Sequence, residues 1–269
     1  MSTEQIRIYR LDLKEETFSE QDDTVATDEA VCIFVNDEYY RTLIATPTMT
    51  KELVVGHLLG EGIINSLEDI KEFEARLLKV YVELHRDVNL DLISMSKVDL
   101  ITTACGSISA PLQSDQLEGL MVASDVKVDP EEIWGIVREL NLRSEIYHKT
   151  GGTHSAMLCT TEGQGIAFAE DVGRHNAVDK VIGAGLLKGV ELGGCFLISS
   201  GRQSGEIVLK AARSGIPVIA SVAGPLKSGI RFADAAGITL ICFVRGRRMN
   251  IYTGHERISN IMSYSFEVH

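Results

Sequence analysis

Four short segments in the second half of the chain combine glycine with cations, and the first three also carry serine or asparagine. They are residues 170–176, 199–205, 221–228 and 245–248. The first three precede helix-like runs, where unpaired N–H groups and the positive end of the helix dipole attract anions. The four segments therefore predict a site for a phosphate-bearing ligand. Ordinary helix caps on a solvated surface are the alternative.

The common nucleotide and zinc motifs do not occur. Neither G-x-x-x-x-G-K-[ST] nor G-x-G-x-x-G is found. A zinc deaminase needs H-x-E and P-C-x-x-C, whereas His154 is followed by serine and alanine, and no two cysteines are close enough to pair as metal ligands. We therefore expect no metal site.

Three further side chains are candidates for chemistry. Cys105 lies in a polar segment with glycine, and nearby cations would shift a thiol with an ordinary pKa of about 8.5 toward the reactive thiolate. His154 follows two glycines, and His175 stands beside Arg174. A solitary loop cysteine can also be incidental, and both histidines can serve as structural hydrogen-bonding groups.

The elements that must position these residues alternate between strand and helix in the second half. Strand-like runs at 195–199, 217–221 and 238–244 alternate with helix-like runs at 174–187, 205–214 and 226–236. This order predicts an α/β fold with helices on the faces of a sheet. Ligands of such sheets bind beyond the carboxyl ends of the strands, so the four segments should share one edge.

The first half is expected to be β-rich. Strand-like runs at 31–35, 39–45, 80–84 and 88–92 surround a helix-period stretch at 53–59. We predict a β-rich N-terminal domain over residues 1–110, ending in the Cys105 segment, and an α/β domain over 111–269. Asp129 and Pro130 are expected to begin a helix that runs to about Arg143.

Charge and cysteine content limit the partners and the compartment. The 269 residues carry a net charge of −12, which argues against a nucleic-acid polymer or an anionic membrane surface as partner. Residues 201–257, however, hold nine Lys/Arg and three acids. Five widely spaced cysteines do not indicate a disulfide framework, and no signal peptide or membrane span is found. We therefore expect a reduced, cytoplasmic protein with four of the cysteines in apolar runs.

Several of these segments together resemble the formate dehydrogenase accessory sulfurtransferases of the FdhD/NarQ type. The longest matching string is Glu-Asp-Val-Gly-Arg-His-Asn-Ala-Val-Asp-Lys at residues 170–180. The other matching segments are residues 150–156, 199–202, 243–248 and 255–257, together with 61–64 in the first half. The resemblance extends from about residue 31 to residue 260.

The resemblance implies a fold and an activity. It implies a cytidine-deaminase-like α/β/α sandwich without zinc beside the smaller β-rich domain. It also implies a sulfur carrier that takes persulfide sulfur from a cysteine desulfurase. The sulfur passes to the molybdenum cofactor, a bis(molybdopterin guanine dinucleotide), before the cofactor enters formate dehydrogenase. A homodimer is expected.

The resemblance also assigns residues. Cys105 corresponds to the persulfide carrier, the first cysteine of a Cys-Gly-x-Cys loop, and is the expected catalytic residue. The cofactor-binding segment corresponds to Phe243, Val244, Arg245, Gly246, Arg247 and Arg248. The resemblance and the predicted sheet edge together add five expected cofactor-binding residues: Gly201, Arg202, His154, Arg174 and His175.

One departure from the family pattern bears on mechanism. Ile108 stands where the family has its second loop cysteine, so a relay between two loop thiols is excluded, although one thiolate suffices to hold a persulfide. The substitution favours, as an alternative, a chaperone that binds the cofactor without chemistry. A nucleotide-binding enzyme of the deaminase-like fold is a third interpretation, and the missing metal ligands argue against it.

Overall fold

A computed structural model describes residues 2–88 and 120–264 of the chain. Cys105, Ile108 and the predicted domain boundary between residues 110 and 111 lie outside the described residues, and so does most of the strand predicted at 88–92. Within the described ranges, no helix is long and apolar enough to cross a membrane.

The N-terminal part contains two separate sheets. β1 (Thr3–Asp12) and β2 (Thr17–Ala26) form an antiparallel two-stranded ribbon. The second sheet has the order β4-β3-β6-β5. Its elements, with the helix α1 that follows β4, are β3 (Glu29–Val35), β4 (Glu38–Ala45), α1 (Thr50–Gly60), β5 (Ile70–Arg76) and β6 (Lys79–Leu84).

The C-terminal part is built on a six-stranded sheet with the order β12-β11-β10-β9-β7-β8. Its strands are β7 (His154–Thr160), β8 (Gly165–Asp171), β9 (Cys195–Ser199), β10 (Val218–Ser221), β11 (Thr239–Arg245) and β12 (Arg248–Thr253). Its helices are α2 (Pro130–Arg143), α3 (Glu145–Thr150), α4 (Arg174–Leu187), α5 (Gly205–Arg213) and α6 (Lys227–Ala235).

Helices cover both faces of this sheet, which confirms the α/β prediction. On one face, Ile133 and Leu140 of α2 pack with Met157 and Phe196 of the strands. On the other face, α4, α5 and α6 pack in a core that continues to α1 and to the strands β3 and β6. The adjacent strand residues Phe196 and Leu197 lie on opposite faces, as the alternation of side chains along a strand requires.

Local sequence explains where the helices begin and end. Asp129 accepts a hydrogen bond from the Glu131 amide and caps α2, whose first residue is Pro130. Gly151 ends α3 in the left-handed conformation, with φ of +66°. α4 begins directly after Gly173 and spans the predicted residues 174–187. The predicted cap Asp129 and the glycines at positions 151 and 173 therefore mark these boundaries.

Two glycines allow helix α1 of the N-terminal part to pack closely against helix α4 of the C-terminal part. A Cβ on Gly56 of α1 would lie 1.9 Å from the carbonyl oxygen of Asp179 in α4. A Cβ on Gly183 of α4 would lie 2.0 Å from the carbonyl oxygen of Glu52 in α1. Neither backbone can yield without moving its helix, so the two helices approach at a distance that only glycine permits.

We expect Gly183→Ala to lower the free energy of unfolding by about 3 kcal/mol, since an added methyl group must separate the two helices. Urea denaturation measures the change. Gly135→Ala is the matched control, because nothing lies within 4 Å of a Cβ at this α2 position. The control should leave stability unchanged or raise it by up to about 1 kcal/mol through helix propensity. Equal effects of the two variants would contradict the close approach.

Candidate functional site

The carboxyl ends of four strands meet at one edge of the six-stranded sheet. β9 runs parallel to β10, and β10 runs parallel to β11. β7 is antiparallel to both β8 and β9, so β8 points in the same direction as β9. The four segments predicted from sequence therefore lie along one edge, as expected. Because β7 runs the opposite way, its first residue, His154, lies at this edge too.

A buried ion pair fixes the segment after β8. Lys180 Nζ lies 2.6 Å from Asp171 Oδ2, and both side chains are fully buried. The other carboxylate oxygen, Oδ1, accepts hydrogen bonds from the Gly173 amide at 2.8 Å and from Asn176 Nδ2 at 2.9 Å. These bonds hold the backbone that presents the first residue of α4, Arg174.

The segment after β9 is tied to its neighbours by hydrogen bonds. Gln203 Nε2 donates to Ser199 Oγ and to the Gly201 carbonyl, both at 2.8 Å. Ser221 Oγ, from the end of β10, donates to the same carbonyl at 2.7 Å. A Cβ on Gly201 would lie 2.8 Å from the Cβ of Arg174. Glycine at this position therefore lets the Arg174 side chain lie directly against the turn.

The structure brings His154 together with three further predicted residues of the edge. Its Nδ1 lies 3.4 Å from Ser200 Oγ. Burial lowers the pKa of His154, and the neighbouring charges of Arg174, His175 and Arg202 lower it further. The imidazole is therefore neutral at pH 7 and adds no charge beside the guanidinium groups. Arg202 itself is exposed, so this cluster offers cations to an anion from solvent.

The fourth segment is a tight β-hairpin between β11 and β12 rather than a helix start. Its two central residues, Gly246 and Arg247, have φ of +59° and +57°, the left-handed values that two-residue hairpins demand. Phe243 has φ of +55° at a bulge in β11. Left-handed backbone at a bulky aromatic residue is uncommon and concentrates at functional positions. The Phe243 ring lies against Gly224, where a Cβ would be 2.7 Å from its Cζ.

The hairpin arginines have different neighbours. The Arg245 guanidinium lies 5.2 Å from the centre of the Phe243 ring. Arg247 lies 4.8 Å from the centre of the Trp134 ring and forms an ion pair with Glu131, both in α2. Both arginines are exposed, but Arg247 is held toward α2 by its contacts with Glu131 and Trp134. Val244, which precedes Arg245, is fully buried, so the predicted segment mixes exposed and core positions.

A cavity of about 570 Å³ adjoins this edge, and the sequence did not predict it. It lies between β4, α1, α4 and α5, and His175 lines it. His175 Nε2 is 3.1 Å from Glu206 Oε2, which joins the first turns of α4 and α5. The remaining charged or imidazole-bearing lining residues are Asp28, Arg41, His57, Glu61, Asp179, Lys210 and Arg213.

The deep wall of the cavity is a buried charge network. Lys210 Nζ contacts both carboxylate oxygens of Asp179, at 2.8 and 2.9 Å. His57 Nδ1 lies 3.2 Å from Asp179 Oδ2. One indication of this network is visible in the sequence: His57, Asp179 and Lys210 interrupt helix stretches that are otherwise apolar. Only the tertiary structure brings residues of α1, α4 and α5 together.

Known proteins of one family are similar to this chain along most of its length. The model of the FdhD/NarQ family matches residues 26–259. A sulfur carrier protein FdhD from Bacillus licheniformis is 36% identical over 255 residues, which are 94% of this chain and 95% of the relative. One from Thermoplasma acidophilum is also 36% identical, over 91% of this chain and 90% of the relative.

A crystal structure from Desulfotalea psychrophila, assigned as a formate dehydrogenase accessory protein, superposes with a TM-score of 0.78. The two chains are 27% identical, and the alignment covers 96% of this chain and all of that one. The similarity in sequence and in fold therefore extends across both the N-terminal and the C-terminal parts.

Proposed function

The chain belongs to the FdhD/NarQ family, and on that premise we propose that it is a sulfur carrier needed for formate dehydrogenase activity. In this proposal Cys105 holds persulfide sulfur and delivers it to the molybdenum cofactor, a bis(molybdopterin guanine dinucleotide), before the cofactor enters the dehydrogenase. A cysteine desulfurase supplies the sulfur. The observation that carries the proposal is the cationic sheet edge, which suits the phosphates of such a cofactor.

The residues of the edge divide the task of binding. Arg202 and Arg245 are exposed cations, and a guanidinium group pairs well with phosphate oxygens. Arg174, which lies against Gly201, adds a third cation at a helix N-terminus. Neutral His154, with its bond to Ser200, can accept or donate a hydrogen bond without repelling the guanidinium groups.

Three of the four described cysteines are unsuited to carry sulfur, which supports Cys105 as the carrier. Burial raises the pKa of Cys195 to about 11 and the pKa of Cys159 and Cys242 to about 12. These thiols stay protonated at pH 7, and the thiolate is the nucleophile in sulfur exchange. Cys32 is partly buried, and its Sγ accepts a hydrogen bond from Thr42 at 3.4 Å.

The loading step that we propose requires only one thiolate. The Cys105 thiolate attacks the outer sulfur of a desulfurase persulfide, a new S–S bond forms, and the desulfurase cysteine leaves as a thiolate. No net oxidant or reductant is consumed. Ile108 in place of a second cysteine does not interfere with this exchange. A homodimer and a cytoplasmic location remain predictions.

We expect GDP to raise the melting temperature of the protein, because GDP carries the base and the phosphates of one of the two guanine nucleotides in the proposed cofactor. At about 100 times its Kd, a ligand stabilises by about 2.7 kcal/mol. Arg202→Ala should weaken GDP binding about tenfold through loss of a charge-assisted contact. Arg138→Ala in α2, on the opposite face of the sheet from α4, is the matched control and should bind normally. No thermal shift with excess GDP would support a merely solvated surface.

A further inference from the structure

We propose that Arg247 is a positioning residue, which together with Glu131 and Trp134 of α2 fixes the β11–β12 hairpin so that Arg245 is held ready for a phosphate. The three residues Glu131, Trp134 and Arg247 form the clamp. The proposal rests on the proposed function and divides the hairpin arginines between two tasks. Arg247 anchors the hairpin to α2, whereas Arg245 contacts the ligand.

The two faces of the hairpin supply the first argument. Val244 and Ile251 pack in the core on the α2 side of the sheet. Phe243 packs against the core on the opposite side, which α4, α5 and α6 cover, and the Arg245 guanidinium lies 5.2 Å from the centre of its ring. Arg247 contacts α2 instead. One cation therefore lies on the side where α4 and α5 begin, and the other lies on the side of the anchor.

The backbone of Arg247 supplies the second argument. Arg247 is the second central residue of a two-residue turn and has φ of +57°, a position at which glycine is usual. A residue other than glycine with left-handed φ is uncommon, and such positions concentrate where a residue has a specific role. The contacts of the Arg247 side chain with α2 give a reason for arginine at this position.

The clamp restrains the guanidinium group from two directions. Arg247 Nη2 donates to Glu131 Oε1, and the guanidinium lies 4.8 Å from the centre of the Trp134 ring. Trp134 is partly buried against the core on the α2 side, so its ring is a fixed support. The hairpin residues 245–248 are exposed. The clamp therefore limits the orientations of an exposed tip, and ordering mobile groups at a binding site costs affinity.

The charge of Glu131 gives the proposal a distinctive sign. A carboxylate near the cationic edge repels phosphate, so charge alone predicts that Glu131→Ala strengthens the binding of GDP. The clamp predicts the opposite, because the variant releases Arg247 and the tip that carries Arg245. We expect Glu131→Ala to weaken GDP binding to the full chain about fivefold, measured by calorimetry.

Two variants of α2 are matched controls for this measurement. Glu132→Ala makes the same change of charge in the same first turn of α2 and should not weaken GDP binding. Arg138→Ala removes the other guanidinium beside Trp134, at 4.9 Å from the ring centre, and should bind normally as well. A Glu131→Ala variant that binds GDP as tightly as the wild-type protein, or more tightly, would overturn the proposal.

A double variant shows whether the clamp acts through Arg245. In an Arg245→Ala background, Glu131→Ala should cause no further loss of GDP affinity, because no guanidinium remains to be positioned. Equal losses in both backgrounds would contradict the positioning role. If the wild-type protein binds no GDP, the cationic edge and the clamp both fail as binding devices. Normal binding by the wild-type protein and by Glu131→Ala refutes the clamp alone.

Trp134 reports the state of the clamp directly, because it is the only tryptophan of the chain. Acrylamide should quench its fluorescence more strongly in Arg247→Ala, since no guanidinium then lies over the ring, and unchanged quenching would contradict the clamp. Addition of GDP to the wild-type protein should leave the quenching unchanged, because Arg247 stays on α2. Stronger quenching with GDP would show that Arg247 leaves Trp134 for the phosphates, which would overturn the positioning role.

Discussion

Cys105→Ala is expected to abolish the activation of formate dehydrogenase in a maturation assay that contains a cysteine desulfurase, cysteine and cofactor-loaded protein. The alanine side chain holds no sulfur, and three of the four described cysteines are buried with raised pKa values. None of these three thiols is therefore suited to replace Cys105, which leaves Cys32 as the described cysteine to test beside it. The size of the expected effect is the full difference between catalysed and background activation.

Cys32→Ala is the matched control for this experiment. Cys32 is the one cysteine in the described ranges that is not fully buried, and its loss should leave activation unchanged. The same comparison separates a sulfur carrier from a chaperone without chemistry. A Cys105→Ala variant that activates the dehydrogenase normally would favour the chaperone, the alternative suggested by Ile108. GDP binding should be equal in all three proteins, which excludes misfolding as the cause of any loss.

Lys180→Met is expected to lower the free energy of unfolding by about 3–5 kcal/mol, because it leaves the Asp171 carboxylate buried without its counter-ion. The ammonium group also donates to the Thr46 carbonyl at 2.9 Å, in the segment between β4 and α1. Asp171 Oδ2 accepts from the Thr46 amide at 3.1 Å. The pair therefore joins the N-terminal part to the turn that carries Arg174. Urea denaturation at pH 7 measures the change.

The double variant Asp171→Asn with Lys180→Met is the control for this prediction. Asparagine can still accept from the Gly173 amide, and no uncompensated charge remains buried, so the double variant should recover part of the lost stability. A Lys180→Met variant that loses less than about 1 kcal/mol would contradict the role of the pair. A double variant that loses more stability than the sum of the losses in the two single variants would contradict the role of the pair as well.

Strand and helix positions in the C-terminal part followed from local pattern. The predicted helix 174–187 coincides with α4, and the predicted strand 195–199 coincides with β9. These segments combine long apolar runs with glycine at their boundaries. Strands that are joined through helices run parallel in the sheet, so their carboxyl ends lie at the same edge. The common edge of the four segments could therefore be predicted too.

Other features depended on contacts between residues distant in sequence. The β1–β2 ribbon consists mostly of polar residues with exposed apolar side chains such as Leu11 and Phe18, so its sequence lacks the usual alternation of a half-buried strand. The cavity requires α1 to lie against α4, which is possible because Gly56 and Gly183 meet. A pattern read along one segment cannot reveal such a pair.

The hairpin at residues 245–248 shows the same limit at the level of side chains. The sequence identified a cluster of three arginines. It did not reveal that Arg247 pairs with Glu131 and lies over Trp134, since α2 precedes the hairpin by more than 100 residues. The positive charge of the segment was therefore predictable, whereas the direction of each guanidinium group was not.

The mass of Cys105 after incubation with a cysteine desulfurase and cysteine tests the sulfur-carrier account most directly. The protein is alkylated and digested, and each cysteine-containing peptide is measured. The account predicts that the peptide with Cys105 gains the mass of one sulfur atom and that reduction removes it, while the peptides with Cys32, Cys159, Cys195 and Cys242 keep their unmodified masses. An unmodified Cys105 peptide, or sulfur found on another cysteine, would contradict it.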